Sequence, residues 1–211
     1  MLYLFTLGFH ADHAIRRLLK ARDIESIVIV TGKPMVRAVS QAYSEIVAVC
    51  EKAGLPTPKL IELPIDDPGT AVYLVYREVR GYQHIVADLS GGMRPVVVLT
   101  LLALSLATTS SFVEIYVAGE REDLPETKLV LNLITNLVSR SLSEEKLKIL
   151  EILWKTPGVS QHDIAQIIGR SDRTVRAHLS ELKKLDLVEN RGGTLHPTQW
   201  TRLALELHNR L

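Results

Sequence analysis

The stretch "ADLSGGMRP", residues 87–95, joins a run that reads as a buried strand, "YQHIVADL", to one that reads as a buried helix, "PVVVLTLLALSLA". Glycines at such a turn let the backbone come close to a ligand, and the helix N-terminus offers unpaired amides. Arg94 adds a fixed cationic fork suited to phosphate or carboxylate. Ser90, Gly91, Gly92, Met93 and Arg94 are therefore candidates for holding a phosphorylated or otherwise anionic ligand. Two more loops follow strand-like runs: "GFH", with Gly8, Phe9 and His10, and "TGKP", with Thr31 and Lys33. Thr31, Lys33 and Ser90 can add hydrogen bonds, and Phe9 or His10 can stack on a base.

The common nucleotide fingerprints are missing. No G-x-G-x-x-G follows the first strand-like run and no G-x-x-x-x-G-K-[ST] occurs, so neither a dinucleotide oxidoreductase nor an NTPase is supported. No Ser/His/Asp, Cys/His or HExxH set stands out, and no catalytic or metal-ligating residue is assigned. The glycine pair also has a plainer reading as turn chemistry. His10 and His13 read as loop residues and His84 as structural; Asp88 is either a strand end or a group that orients the loop.

The elements that must bring these loops together are legible as an alternation. "LYLFTL", "SIVIVT", "PKLIELPI", "HIVADL" and "FVEIYV" are short apolar runs, with helical patterns between them. In "MVRAVSQAYSEIVAVCEKAG", Val36, Val39, Tyr43, Ile46, Val47 and Cys50 recur at helical spacing before Gly54. Continuous apolar strands imply a sheet covered on both faces, hence a Rossmann-like, doubly wound α/β domain. In that architecture ligands bind beyond the carboxyl ends of the strands, where strand order reverses. "KLVLNLITNLV" fits either an edge strand or a helix, and its apolar surplus suggests a contact between two subunits.

From Ser143 the pattern is helical. "EEKLKILEILWK" sets Leu147, Leu150, Ile152, Leu153 and Trp154 on a broad apolar face. Ser160 can cap "QHDIAQIIG" with Asp163 completing a capping box, Gly169 ends that helix, and Asp172 is placed to cap "RTVRAHLSELKKL". A short helix, a tight turn and a longer helix make a helix-turn-helix. Val175, Leu179 and Leu182 share one face of the longer helix. Arg173, Ala177, Ser180 and Lys184 then point outward, flanked by Arg176 and Lys183. Small residues flanked by cations suit the major groove of double-stranded DNA. Arg170, Ser171 and Thr174, at the turn and the start of the helix, are further candidates for DNA contact, and "NRGG" predicts a two-stranded wing tipped by Arg191. The boundary falls near residue 140, with 14 Lys/Arg against 15 Asp/Glu before it and 11 against 9 after it. The parts are then 1–124, a connecting and dimer-contact segment 125–142, and 143–211.

Composition sets the outer bounds. The 211 residues are 46% hydrophobic and 23% charged with a formal net charge of +1, which is a globular composition. The single cysteine, Cys50, cannot form an internal disulfide and reads as a small core residue of a reducing compartment. "MLYLFTLGF" lacks the basic start of a signal peptide, and Val96–Ala107 is too short to span a bilayer, so a soluble cytoplasmic protein is expected.

The C-terminal pattern resembles the winged helix-turn-helix of MarR- and ArsR-type regulators, without the ArsR metal cluster. Taken with "LYLFTLGF" and "DLSGGMRP", the whole chain resembles the archaeal CRISPR-associated transcriptional regulators, which join a Rossmann-like CARF domain to a winged helix-turn-helix. That resemblance implies a homodimer whose CARF domains share one pocket for a cyclic oligoadenylate, cyclic tetra-adenylate especially, and no resident cofactor. It places Gly8, Phe9, His10 and Ser90 to Arg94 at the pocket. A twofold pocket suits a ring of like nucleotides. It implies a regulator of CRISPR loci bound to a pseudo-palindromic promoter site, with no membrane partner. Two alternatives remain open: a metal-independent ring nuclease using Ser90, His10 and Arg94, and an adaptor docking on a CRISPR effector complex.

Overall fold

The computed structural model describes residues 1–119, 125–138, 142–208 and 210. The boundaries expected at residues 124 and near 140 lie outside the described residues. The chain divides into two compact units, Met1–Leu131 and Asn132–Leu211.

In the first unit, β1 (Leu2–Thr6), α1 (Asp12–Leu18), β2 (Ser26–Lys33), α2 (Arg37–Lys52), β3 (Lys59–Pro64), α3 (Pro68–Val79), β4 (His84–Asp88), α4 (Arg94–Ala107) and β5 (Phe112–Val117) alternate strictly. A last strand, β6 (Thr127–Val130), completes a six-stranded sheet of order β3-β2-β1-β4-β5-β6. The first five strands are parallel, and β6 runs antiparallel to β5. β1 is central and buried along its whole length, which is why its sequence shows no in-out alternation. Its Leu2 and Leu4 pack with Val75 of α3 and Leu104 of α4, while Tyr3 and Phe5 face Leu18 of α1 and Ile46 of α2. The fold is the expected Rossmann-like one, and order reverses between β1 and β4.

Two local expectations change. The ambiguous run is a strand and a helix in succession, β6 and then α5 (Leu131–Val138). Lys128 of β6 pairs with Glu114 of β5, fixing the strand, and the apolar spacing beyond it is helical. Burial opposes ionisation of Glu114, but Lys128 and His84 outweigh it and hold its carboxyl below the usual range. Val36 is not part of α2: it is the extended N-cap and is exposed, so the buried stripe runs Val39, Ala42, Ile46, Cys50. Cys50 is fully buried, and burial pushes its thiol pKa up.

In the second unit, α6 (Glu144–Lys155), α7 (Gln161–Ile168) and α8 (Asp172–Lys184) precede a hairpin of β7 (Val188–Arg191) and β8 (Thr194–Pro197), closed by α9 (Thr201–Leu207). Its core uses Leu147, Ile149, Leu150 and Leu153 of α6. Trp154, expected on that face, is exposed, and Ile149 is inside instead. Position 154 stays on the stripe of residues 147, 150 and 153, and its side chain is exposed in the last turn of α6, one residue before the helix ends at Lys155.

Candidate ligand site and nucleic-acid interface

The three loops named from sequence converge at the switch point. A cavity of about 390 Å³ is walled by Gly8, Phe9 and His10 after β1, by Thr31, Gly32 and Pro34 at the end of β2, and by Ser90–Met93 after β4. Leu7, Val36 and Val39 complete an apolar floor, joined by His13. Lys33 and Arg94 are not among the wall residues; Arg94 opens α4 and is exposed. The expected cationic rim is thus absent from the single chain's wall among the described residues. What remains is a set of backbone amides beside apolar and aromatic surface, a chemistry that fits a nucleobase next to a phosphate. Among the described residues, the amides of Gly91, Gly92 and Met93 donate to no protein acceptor.

Close packing makes the glycines necessary. A Cβ on Gly91 would lie 2.6 Å from the Thr6 carbonyl oxygen, and one on Gly8 would lie 2.9 Å from the Gly92 amide nitrogen. Gly92 has φ +89°, a left-handed conformation that glycine adopts freely. Thr6 Oγ1 donates to the Gly91 carbonyl at 2.6 Å, which clamps the loop to the end of β1.

Ser90 and Thr31 are used differently from the expectation that they bond a ligand. The Ser90 hydroxyl donates to Asp88 and accepts from the Ala118 amide at 2.8 Å, while Thr31 Oγ1 donates to the Leu7 carbonyl at 3.2 Å. Both side chains hold the loops in place. Asp88, 3% exposed, also accepts the Ser90 amide at 3.0 Å and Arg17 Nε at 2.7 Å, so it is the loop-orienting group. His84 bonds Glu114 at 3.1 Å, a structural role. The apolar walls Leu7, Val36 and Val39 carry no sequence signal, because an apolar residue after a strand, or on a helical stripe, reads as core.

The helix-turn-helix forms with one shift of a cap. Ser160 accepts the Asp163 amide at 3.1 Å, the cap expected, while the Asp163 carboxylate accepts from the Ser160 hydroxyl at 2.6 Å and not from its backbone amide as in a full capping box. Gly169 ends α7 at φ +65°. Ser171, not Asp172, is the N-cap of α8, accepting the Thr174 amide at 3.2 Å; Asp172 becomes the first helical residue. An acidic residue there still suits the helix dipole. Val175, Leu179 and Leu182 are buried, and Arg173, Arg176, Ala177, Ser180, Lys183 and Lys184 are exposed, as the rotation required. Gly192 and Gly193 at φ +58° and +90° make the wing turn and set Arg191 beside it.

The cations divide into two groups. Among the described residues, Arg173, Arg176 and Lys183 make no ion pair. Arg170 instead bonds Glu145 of α6 at 2.6 Å, and His178 of α8 bonds the same carboxylate at 3.0 Å. These two bonds hold the Glu145 carboxyl below the usual range. Arg170 therefore braces the turn against α6. Arg191 lies against Glu189 within the wing. A cleft of about 320 Å³ between α8 and the wing is lined by Arg176, Ser180 and Lys183, together with Gln161 and Asn190. The last two were not singled out from sequence. Asn190 is exposed and Gln161 half-buried; both are polar residues of ordinary type, and only the fold puts them beside α8.

The model of the Csa3 CRISPR-associated Rossmann-like domain matches residues 1–129. The chain belongs to that family. Residues 142–189 match a second model, described as winged helix-turn-helix DNA-binding. A protein of Saccharolobus solfataricus, named "CRISPR locus-related putative DNA-binding protein Csa3", is 27% identical over 193 residues, covering 90% of this chain and 80% of its own. A protein of the same name from Thermoproteus tenax is 28% identical over 192 residues, covering 89% of this chain and 85% of its own. The Csa3 match spans the five parallel strands, most of β6 and all three cavity loops, and the second match runs from α6 into the start of β7.

Proposed function

We propose that this protein is a dimeric, ligand-responsive transcription regulator of CRISPR loci, binding a cyclic oligoadenylate in the first unit and double-stranded DNA through the second. The observation that carries the DNA half is the exposed face of α8. Arg173, Ala177 and Ser180 project from a helix whose opposite side is locked by Val175, Leu179 and Leu182. Among the described residues no helix is long and apolar enough to cross a membrane.

Cyclic tetra-adenylate is the effector proposed. The cavity offers amides for phosphate beside Phe9, Val36 and Met93 for a base. The Ser90 hydroxyl is already committed to Asp88 and Ala118, and Arg94 stands off the wall. Both observations favour binding over ring cleavage, since Ser90, although in the wall, has its hydroxyl engaged within the protein, and Arg94 is not in the wall.

A second copy has a fitting surface on α4. Val98, Leu102 and Leu106 recur every four residues and are each more than half exposed. α4 starts directly at the Ser90–Met93 loop, so pairing α4 with its counterpart brings two such loops to one twofold axis. By contrast Val130, Leu131 and Leu133 of the connecting segment are buried within the chain and are not free for a partner. Leu102→Glu is expected to give a folded monomer. Light scattering at micromolar concentration reads this directly; a persistent dimer would remove α4 from the interface.

The DNA reading is tested by two variants that fail differently. Arg173→Ala is expected to cost about 1–3 kcal/mol on the specific site and to relax the preference at one base position. Arg191→Ala is expected to weaken all sequences alike and to lower the salt slope by about one unit per wing. Footprinting and salt titration check both. Unchanged affinity and selectivity of Arg173→Ala for the promoter would favour the adaptor role.

A further inference from the structure

Arg17 of α1 is 16% exposed and touches three groups from different elements. Its Nε donates to Asp88 Oδ2 at 2.7 Å, its terminal nitrogen pairs with Glu126, and its guanidinium lies 3.8 Å over the Tyr116 ring. Asp88 spends its other oxygen on Ser90, through both the amide and the hydroxyl. Ser90 in turn accepts from Ala118, just past β5. A continuous path therefore runs from the glycine loop through Ser90, Asp88 and Arg17 to Glu126, the residue that enters β6. β6 leads without a break into α5, where the second unit begins.

We propose that Arg17 is the linkage between the Ser90–Met93 loop and β6, so that a change in the loop is felt at the strand leading to the second unit. The physical reason is that the Asp88 end of the path is buried with no spare acceptor. Asp88 is 3% exposed, and both of its oxygens are engaged. A loop movement that drags Ser90 must move Asp88 or leave a buried carboxylate short of a partner, which is costly. Arg17 cannot follow Asp88 without changing its grip on Glu126 or its stacking on Tyr116. Hydrogen-bonded chains between packed elements are the kind of connection that carries coupling, and such coupling is reciprocal. An effector's use of this linkage rests on the ligand reading above; the linkage itself is tested with no ligand present.

Amide hydrogen exchange on the full chain supplies the test. Ser90→Ala is expected to speed exchange of residues 127–130 by about three- to tenfold, the scale of one hydrogen bond lost from a cooperative unit. β3 at the opposite edge should keep its protection. In an Arg17→Gln background, Ser90→Ala should add nothing at 127–130. Glu126→Gln, at an exposed position that does not threaten folding, should shift the amide NMR signals of Gly91 and Gly92, while Thr127→Ala leaves them in place. The proposal is overturned if Ser90→Ala speeds β3 as much as β6, if its effect on β6 survives removal of Arg17, or if Glu126→Gln leaves the glycine signals unmoved. Adding cyclic tetra-adenylate to the wild-type chain separates the two ideas. Absence of binding would sink the ligand reading and leave the linkage result standing.

Discussion

Gly91→Ala is expected to abolish measurable binding of cyclic tetra-adenylate while leaving the chain folded. The added Cβ would lie 2.6 Å from the Thr6 carbonyl oxygen, a backbone atom at the end of the central strand that has nowhere to go. The loop must therefore move, giving up the Thr6 Oγ1 bond to the Gly91 carbonyl and displacing the free amides beside it. Losing two charge-assisted amide contacts at about 1.5–3 kcal/mol each corresponds to a loss of roughly 100-fold or more. Loss of one loop bond costs the domain only about 1 kcal/mol, so the sheet should survive. Gly69→Ala is the control: its Cβ would meet nothing closer than 3.7 Å, and binding should not change. Calorimetry with the cyclic nucleotide, beside a thermal melt, gives the result. Normal affinity in Gly91→Ala would mean that the loop does not touch the ligand.

Ala177→Glu is expected to remove promoter binding by more than about 100-fold without destabilising the second unit. Residue 177 is exposed at the middle of α8, between Arg173 and Ser180 on the outward face, and glutamate is a good helix former. A carboxylate there would enter a groove walled by phosphates and would stand near the free cations Arg173 and Arg176. Like-charge juxtaposition across an interface costs several kcal/mol, which is well beyond a hundredfold. Ala177→Lys separates charge from bulk. It adds similar volume with the opposite sign, so it should retain binding to random DNA even where it blurs the specific site. Gel shifts at fixed salt compare the three proteins. Equal binding by wild type and Ala177→Glu would turn α8 away from DNA and favour a protein partner.

Much of this molecule is set by local rules acting on neighbouring residues. The strand-helix alternation, the Ser160 cap, the left-handed Gly169 and the wing turn at Gly192–Gly193 all depend on residues within a few positions of one another. So does the rotation of α8, because Val175, Leu179 and Leu182 leave only one face to point outward. These features follow from the sequence alone, and with them the two-part architecture and the exposed helix that suits DNA. The Ser171 cap shows the limit of local reading, since Ser171 and Asp172 both favour the N-cap position and only the observed turn selects between them.

Tertiary structure decided whatever required distant segments to meet. Ser90 looks like a ligand-facing hydroxyl until Asp88 and Ala118 are seen to claim it, and Ala118 arrives from the far end of β5. Arg170 looks like a free cation beside the recognition helix until α6 brings Glu145 against it. Arg17 carries no signal at all in a helix of mixed composition. Its position matters only because α1 packs where Asp88 and Glu126 converge on the same side chain. In each case the deciding partner lies 25 or more residues away, save for Asp88 beside Ser90. Sequence periodicity reports which face of an element is buried. Which long-range partner takes up the hydrogen bonds of a given polar side chain depends on how the elements are arranged, and that is settled only when the sheet closes over its helices.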